Sequence, residues 1–268
     1  MNTLNELYLS QYALSTFDTC PRKFRYRYVD GLFWPRNWTS RDQRERMEKG
    51  RLFHLLAQRY FSGATTAIPP GALFREELSK WVARLKELIT IDPDSVYLPE
   101  LHIKLETGGI RLQAKYDLIV LSGNRAQIFD WKTDERPLQQ ARLARAGQTR
   151  VYRYLAVEAA NIYARGTTIK PGGMDMTYWN PSYPAGAVSL PYSEAEHREA
   201  GRNLHELINH IRSLRYQDFA ETSDLKSCPG CEYSPICQGR AATGGDPSDE
   251  DFDPGEDLSW EDAPEIVY

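Results

Sequence analysis

The clearest alternation of apolar and polar residues lies near the middle of the chain, between residues 100 and 135. Leu101, Ile103 and Leu105 alternate with polar residues, and Gly108-Gly109 follows them. Period-two alternation is typical of a strand that is buried on one face, and a Gly-Gly pair between two such runs indicates a hairpin. This stretch therefore predicts three or four antiparallel strands.

Patterns of helical period flank the predicted strands. Ser40 with Gln43, and Ser193 with Glu196, have the spacing of a capping box at a helix start. Gly147 indicates a break within the fourth helical pattern. The predicted helices cover residues 10–29, 40–61, 73–89, 137–166 and 193–215, and a further strand is predicted at 174–179. We therefore predict an α/β fold with a mixed β-sheet core flanked by helices.

Charge divides the chain into a basic body and an acidic end. The net charge is −4, but residues 241–268 contain ten Asp or Glu residues and no Lys or Arg. The remaining 240 residues carry 33 basic and 27 acidic side chains, which suits a polyanionic partner. We expect one folded domain over residues 1–240 and a disordered tail over 241–268. The tail either keeps the protein soluble or occupies a basic cleft as a DNA mimic.

No signal for a membrane span or a secretory leader is visible. The chain lacks a long apolar run, and its first residues lack the basic and apolar regions of a signal peptide. We therefore expect a cytoplasmic protein, in which clustered cysteines are metal or cluster ligands more often than disulfides.

Residues 22–28 form a basic and aromatic run, Arg-Lys-Phe-Arg-Tyr-Arg-Tyr. Such a run can present charge and stacking surface to a nucleic acid strand. It is equally consistent with an amphipathic helix that buries its aromatic rings. The pattern alone does not separate the two.

Asp117, Asp130 and Lys132 carry the most specific chemistry in the predicted sheet. If residues 122–125 form a turn, Ile119 pairs with Ile128 and Asp117 stands opposite Asp130. Opposed carboxylates on paired strands lie about 5 Å apart and need a neutralising partner, which a divalent cation provides. Lys132 lies on the same face as Asp130. A cation held by two carboxylates beside a lysine suits phosphodiester hydrolysis, whereas Asp-x-Lys alone is a common tripeptide.

Three further residues are candidates to complete this site. His54 is a candidate third metal ligand, and an imidazole would favour Mn²⁺ over Mg²⁺. Gln148 and Tyr152 are four residues apart, so they project from one helix face and could contact DNA or the lysine. Taken singly, each is an ordinary helix residue.

The four cysteines lie near the two ends of the chain. Cys20 stands alone, and Cys228, Cys231 and Cys237 have C-x2-C-x5-C spacing. A four-thiolate site would need all four, and would join the N-terminal region to the C-terminal region. The spacing fits zinc as well as an iron–sulfur cluster.

Taken together, these residues resemble the PD-(D/E)xK nuclease superfamily and, within it, the RecB-like iron–sulfur branch. That branch includes AddB-type nuclease domains and the CRISPR-associated RecB-like adaptation nuclease. The resemblance spans about residues 8–240. Its elements, in chain order, are the segment LSTFDTCP at 14–21, Gly50-x3-His54, Asp117, Asp130-Trp131-Lys132, Gln148-x3-Tyr152 and the C-terminal cysteine triplet.

The resemblance implies a restriction-endonuclease-like core that acts as a metal-dependent DNA nuclease. His54, Asp117 and Asp130 are expected to bind Mg²⁺ or Mn²⁺, and Lys132 is expected to be catalytic. Gln148 and Tyr152 are expected to support the site. Cys20, Cys228, Cys231 and Cys237 are expected to hold a structural 4Fe-4S cluster.

The implied activity is an exonuclease on single-stranded DNA ends in repair or recombination, where a helicase is the expected partner. Trimming of CRISPR spacers beside an integrase is an alternative within the superfamily. A non-catalytic DNA-binding protein with a degenerate site is the alternative from another class, and a zinc-stabilised regulatory module is a further one.

Overall fold

The computed structural model describes residues 4–32, 40–163 and 168–239. The acidic tail predicted for residues 241–268 lies outside these described residues. No helix among them is long and apolar enough to cross a bilayer.

The helices and strands follow the order predicted from the sequence, with three additions. The two longest helices, α3 and α7, begin at side-chain caps, since Ser40 and Gln43 form a full capping box and Ser193 accepts from the backbone of Glu196. A π-helical turn over Arg25–Val29, strand β5 and helix α8 were not predicted. The elements are α1 Gln11–Thr19, α2 Pro21–Phe24, α3 Arg41–Phe61, α4 Arg75–Leu88, β1 Val96–Thr107, β2 Ile110–Ser122, β3 Arg125–Trp131, α5 Gln140–Leu143, α6 Gly147–Tyr163, β4 Met174–Trp179, β5 Val188–Pro191, α7 Glu194–Ser213 and α8 Ser234–Gln238.

The strands form one mixed sheet in the order β1-β2-β3-β4-β5. Strand β3 runs antiparallel to β2 and parallel to β4, and β5 returns antiparallel to β4. The parallel pair needs a crossover connection, and α5 and α6 lie within it. The predicted α/β class with a mixed sheet and flanking helices is therefore confirmed.

The register between β2 and β3 agrees with the prediction, but the turn is tighter. Ile119 lies opposite Ile128, and the pairing continues to Ser122 opposite Arg125. Only Gly123 and Asn124 remain in the turn, where Gly123 has φ of 57°. A two-residue hairpin favours glycine at a positive φ, which explains why the strands pair one residue pair further than predicted.

The described chain divides into two compact units that alternate along the sequence. Unit 1 contains the described parts of Met1–Thr39, Lys104–Ala114 and Gly201–Tyr268, and unit 2 contains those of Ser40–Ile103 and Lys115–Ala200. The single nuclease domain over residues 1–240 stays a prediction.

In unit 2, helices α3 and α4 cover one face of the central strands. Their apolar side chains form a buried cluster with Leu118 and Val120 of β2 and with Phe129 and Trp131 of β3. Removing such side chains from water is the main stabilising contribution to a core of this kind. This packing fixes α3, and therefore His54, against the strands that carry the carboxylates.

In unit 1, the basic run at residues 22–28 is largely an internal structure. Phe24 is fully buried and stacks on Phe219, with ring centroids 6.1 Å apart. Arg27 is 5% exposed and lies 3.9 Å from the buried carboxylate of Glu232. Arg25 pairs with Asp30 at 3.3 Å. The run buries Phe24, as an amphipathic helix requires, but Tyr26 and Tyr28 are only partly buried and Arg27 is buried rather than facing water.

Candidate active site

Asp117 directly precedes the paired segment of β2, in which Leu118 lies opposite Phe129. Continuing that register by one residue sets Asp117 opposite Asp130, as predicted. The Asp117 carboxylate is oriented by β3, because the backbone N–H of Trp131 donates to Oδ2 with 2.6 Å between N and O. A charge-assisted hydrogen bond of this length fixes one oxygen and leaves Oδ1 for another contact.

His54 reaches the second oxygen of Asp117 from helix α3. Its Nδ1 lies 3.0 Å from Asp117 Oδ1 and 3.9 Å from Glu100 Oε1. One ligand atom from each of His54, Glu100 and Asp117 lies within 4.8 Å of the others. The structure therefore brings together the two predicted residues His54 and Asp117, and adds a carboxylate that sequence reasoning missed.

Glu100 is held in an unusual position in strand β1. Its φ of 51° lies in the left-handed region, which is uncommon for residues other than glycine. Burial raises the pKa of the Glu100 carboxyl, and the negative charge of Asp117 raises it further. Lys115 opposes this effect through Nζ, which lies 2.6 Å from Glu100 Oε2. Backbone strain at a cluster of like charges is typical of a functional site.

Asp130, Lys132 and Gln148 form a triangle of two hydrogen bonds and one ion pair beside this group. Gln148 Nε2 donates to Asp130 Oδ2 at 2.7 Å, and Lys132 Nζ donates to Gln148 Oε1 at 2.9 Å. Lys132 Nζ also lies 2.8 Å from Asp130 Oδ1. Because the amide donates on one side and accepts on the other, Gln148 fixes the positions of both charged groups.

The aromatic ring of Tyr178 lies beside the Lys132 ammonium. Its Nζ lies 5.5 Å from the centroid of the Tyr178 ring, which is a cation–π distance. The Tyr178 hydroxyl contacts Thr149 Oγ1 at 2.7 Å. Burial raises the pKa of Tyr178 well above its usual value, so the ring remains neutral.

Tyr152 lies in the interior of unit 2. Its side chain is 1% exposed, and its ring packs on Tyr116 with centroids 4.8 Å apart. The Tyr116 hydroxyl donates to the Tyr152 carbonyl at 3.0 Å. Burial leaves the Tyr152 ring no surface for DNA, so the geometry favours a supporting position over a direct contact.

Gly50 permits a close approach between α3 and the residue after the lysine. A Cβ atom at position 50 would lie 2.6 Å from Thr133 Oγ1, which is shorter than real Cβ contacts. Glycine therefore allows α3 to pack against the end of β3, one residue beyond Lys132. This gives a physical reason for the Gly50-x3-His54 spacing.

These residues fit a small divalent cation. One imidazole nitrogen and two carboxylate oxygens within 4.8 Å are ligands suited to Mn²⁺ or Mg²⁺. Asp130, which the sequence also placed among the ligands, is not part of that close group. Its buried Oδ1 makes no hydrogen bond within the described residues and lies beside Lys132 instead.

The four cysteines line one solvent-open cavity in unit 1. Cys20 ends α1 and precedes α2, while Cys228, Cys231 and Cys237 belong to a series of turns before and within α8. Among residues 4–32, 40–163 and 168–239, no three of these sulfurs lie within 4.8 Å of one another. The structure therefore places the cysteines around one space but does not show the close four-cysteine cluster that was expected.

Two basic residues share this cavity with the cysteines. Arg22 hydrogen-bonds Cys237 and pairs with Glu221, and Lys23 lies 3.2 Å from Glu232 Oε2. Burial raises the pKa of the Cys231 thiol to about 11 and also raises the pKa of Cys237. The hydrogen bond from Arg22 opposes that rise at Cys237, so a basic side chain favours the thiolate form there.

Comparison with known proteins agrees with the fold and identifies the family. The family model of the PD-(D/E)XK nuclease superfamily matches residues 8–238. A crystal structure of a Eubacterium rectale protein named as a candidate exonuclease is 11% identical and has a TM-score of 0.50, with 90% of this chain and 91% of that chain covered. At that identity the likeness shows the fold alone.

A second solved structure, SSO0001, is 16% identical over 88% of each chain, with a TM-score of 0.32. No curated protein sequence matches the chain. These comparisons do not identify the iron–sulfur branch. Because the family model covers most of the chain, the protein belongs to the PD-(D/E)XK nuclease superfamily.

Proposed function

We propose that the protein is a divalent-metal-dependent nuclease that hydrolyses the phosphodiester bonds of DNA. The observation that carries the proposal is the group of His54, Glu100 and Asp117, together with the triangle of Asp130, Lys132 and Gln148. One set provides ligands for a cation, and the other provides a fixed positive charge. Phosphodiester hydrolysis needs both.

The ligand set proposed for the cation is His54, Asp117 and Asp130, with Glu100 as an addition. A bound Mg²⁺ or Mn²⁺ supplies charge neutralisation and a more acidic water. Trp131 N–H holds Asp117 in orientation, so that its Oδ1 faces His54. Gln148 performs the same task for Asp130. The carboxylates are thus arranged before any substrate arrives, which lowers the cost of reorganisation during the reaction.

Lys132 is the proposed catalytic residue. Its ammonium lies 2.8 Å from Asp130 Oδ1 and 2.9 Å from Gln148 Oε1. A charged lysine at this place donates to the attacking water or to an oxygen of the scissile phosphate. In either position it stabilises the negative charge that develops on the phosphate.

We further propose an exonuclease on single-stranded ends. The name of the Eubacterium rectale protein of similar fold supports this activity, and the excess of basic over acidic residues in residues 1–240 supports a strand of nucleic acid as substrate. Incubation of 5′-labelled single- and double-stranded DNA with Mg²⁺, with Mn²⁺ and with chelator tests the proposal. We expect progressive shortening of the single strand with either cation and none with chelator.

An Asp130→Ala variant provides the control for contaminating nucleases. It should bind DNA and leave the labelled strand intact. Degradation at the wild-type rate by this variant would refute the proposed site. DNA binding by the wild type without cleavage under every metal condition would instead favour the non-catalytic DNA-binding protein.

For the cysteine cavity we propose a 4Fe-4S cluster with a structural role. Support comes from the four cysteines on one cavity and from Arg22 and Lys23 beside them, since basic groups favour thiolates. A tetrahedral zinc bound at about 2.3 Å by each sulfur sets the sulfurs about 3.8 Å apart. No three of the sulfurs in the described residues lie within 4.8 Å of one another. Anaerobic purification with an absorbance spectrum near roughly 400 nm and metal analysis distinguishes iron from colourless zinc.

A further inference from the structure

Beyond the catalytic group, unit 2 presents a segment rich in arginine between β3 and helix α6. Between Glu135 and Glu158 the chain contains five arginines and no acidic residue. Arg136, Arg142 and Arg145 are exposed, and Arg150 is partly buried. We propose that Arg142, Arg145 and Arg150 bind the phosphates of the DNA strand next to the scissile bond; this rests on the proposed function.

The fifth arginine, Arg153 of α6, has a structural role that contrasts with the others. Arg153 is 8% exposed, donates to the Pro191 carbonyl at 2.8 Å and stacks on the Tyr192 ring at 4.4 Å. By contrast, Arg145 and Arg150 make no side-chain hydrogen bond or ion pair with the described part of the chain. Their charges are therefore available to a ligand.

The segment is anchored to the catalytic group at its C-terminal end. Arg145 precedes Gln148 by three residues, so their Cα atoms are at most about 11 Å apart. Along one strand of B-form DNA the axial rise is about 3.4 Å per nucleotide, so this separation spans at most about three nucleotides of helix axis. A strand whose scissile phosphate lies at Lys132 can therefore bring a neighbouring phosphate to these arginines.

Hydrogen bonds hold the segment in place although α5 buries no residue. Thr149 Oγ1 donates to the Leu143 carbonyl at 2.6 Å, which ties the end of α5 to the first turn of α6. At the other end, Asn180 Nδ2 donates to the Asp134 carbonyl at 2.8 Å. The backbone of the segment is therefore held in place while its arginine side chains reach solvent, and arginine can bind phosphate oxygens with two N–H groups.

The acidic residues before the segment are already engaged. Asp134 Oδ1 accepts from the backbone N–H of Arg136 at 3.1 Å, and Glu135 Oε1 lies 4.0 Å from Arg46. They therefore compete little with DNA for the downstream arginines.

The test is the binding of a fluorescent single-stranded oligonucleotide in chelator, measured at several salt concentrations. Arg145→Ala and the double variant Arg142→Ala, Arg145→Ala are compared with the wild type. We expect a severalfold rise in Kd for each arginine removed at low salt. The slope of log K against log salt should fall by about 0.7 per lost contact, the value for single strands.

The matched control is Arg198→Ala, which removes an exposed arginine of α7 that has Glu194 and Glu199 close by in sequence. This change should leave both Kd and slope unaltered. In cleavage assays with Mn²⁺, the arginine variants should raise KM while kcat changes less than twofold, and their thermal melts and Mn²⁺ affinity should match the wild type.

Unaltered Kd and salt slope in the double variant would overturn the inference and leave the proposed nuclease standing. A wild type that never cleaves, but whose binding depends on Arg142 and Arg145, would refute the proposed function and keep this surface. An equal loss of binding in Arg198→Ala would show a general charge effect and would also overturn the inference.

Discussion

The carboxylate site of unit 2 and the cysteine cavity of unit 1 are built by different means. In unit 2, strand register and short hydrogen bonds place each charged group, as with Asp117 on the backbone of Trp131 and Asp130 on Gln148. In unit 1, turns near the two ends of the chain bring four cysteines around one open space. The difference teaches that a change in the first site should alter the reaction, whereas a change in the second should alter stability.

The largest effect is expected for Cys20→Ala. If a cluster joins Cys20 to Cys228, it closes a long loop, and losing the closure costs roughly 5 kcal/mol of stability in the loop-entropy model. For a domain of this size that corresponds to a fall in Tm of about 10–20 °C. A thermal melt combined with the spectrum checks this. Protein that stays brown and equally stable would remove Cys20 from the cluster.

Asp130→Asn should affect mainly the rate of cleavage, whereas Cys20→Ala should affect mainly stability. The asparagine keeps the shape of the side chain but loses its charge, so we expect cleavage to fall about a thousandfold, or about 4 kcal/mol of transition-state stabilisation. Tm should fall much less than in Cys20→Ala, because the asparagine oxygen still accepts from Gln148, although the ion pair with Lys132 is lost. Single-turnover cleavage and a thermal melt of the same preparation test both parts. A large fall in Tm would mean that Asp130 is structural, and the contrast between the two units would fail.

Gly50→Ala should have an intermediate effect on both rate and stability. Because the new Cβ would lie 2.6 Å from Thr133 Oγ1, Thr133 must move, and Lys132 precedes it. We expect a tenfold loss of kcat, about 1.4 kcal/mol, and a stability loss of about 1–2 kcal/mol from overpacking.

Two further variants separate this contact from a general helix effect. Adding Thr133→Ala to Gly50→Ala removes the clashing oxygen and should restore cleavage. Gly172→Ala, where nothing lies within 4 Å of the added Cβ, should behave as the wild type. If the double variant recovers no activity, the loss of activity in Gly50→Ala does not come from the contact with Thr133.

The smallest effect is expected for Glu100→Gln in chelator. The pKa of Glu100 is raised in the folded protein, so its protonated form favours folding at acid pH and this contribution is lost as pH rises. Near neutral pH Glu100→Gln should therefore raise the free energy of unfolding by about 1 kcal/mol relative to the wild type. The gain should shrink towards pH 4. Urea unfolding at both pH values measures it.

The exposed carboxylate Glu87 on α4 offers the matched control for Glu100. Glu87→Gln should give no pH-dependent difference in unfolding. Mn²⁺ titration of Glu100→Gln supplies a second readout, since loss of a ligand should weaken binding about tenfold. Unchanged Mn²⁺ affinity would exclude Glu100 from the ligand set.

The pairing of Asp117 with Asp130 could be predicted from the sequence because the register of a hairpin depends on residues that are close together in the chain. Leu118 to Leu121 are buried on both faces of β2 and do not alternate, so the short connection between β2 and β3 is the feature that indicates which residues pair. Turn length was less certain, and the structure shortens it to two residues.

Other features depend on tertiary packing and left no pattern to follow. Glu100 belongs to no motif, and its role arises from a left-handed backbone in β1 and from the nearby Asp117. Strand β5 is four residues long and carries little alternation of its own. Tyr152 shares a predicted helix face with Gln148, yet contact with Tyr116 rather than periodicity determines that it is buried.

The most direct test of the carboxylate site is the rate of cleavage of one end-labelled strand as a function of Mn²⁺ concentration, for the wild type and for Asp117→Asn. The wild-type rate should rise and saturate. The variant should need at least tenfold more Mn²⁺ and reach a maximum at least a hundredfold lower, because the group that joins His54 to β3 is lost. Coincident curves for the two proteins would contradict the account.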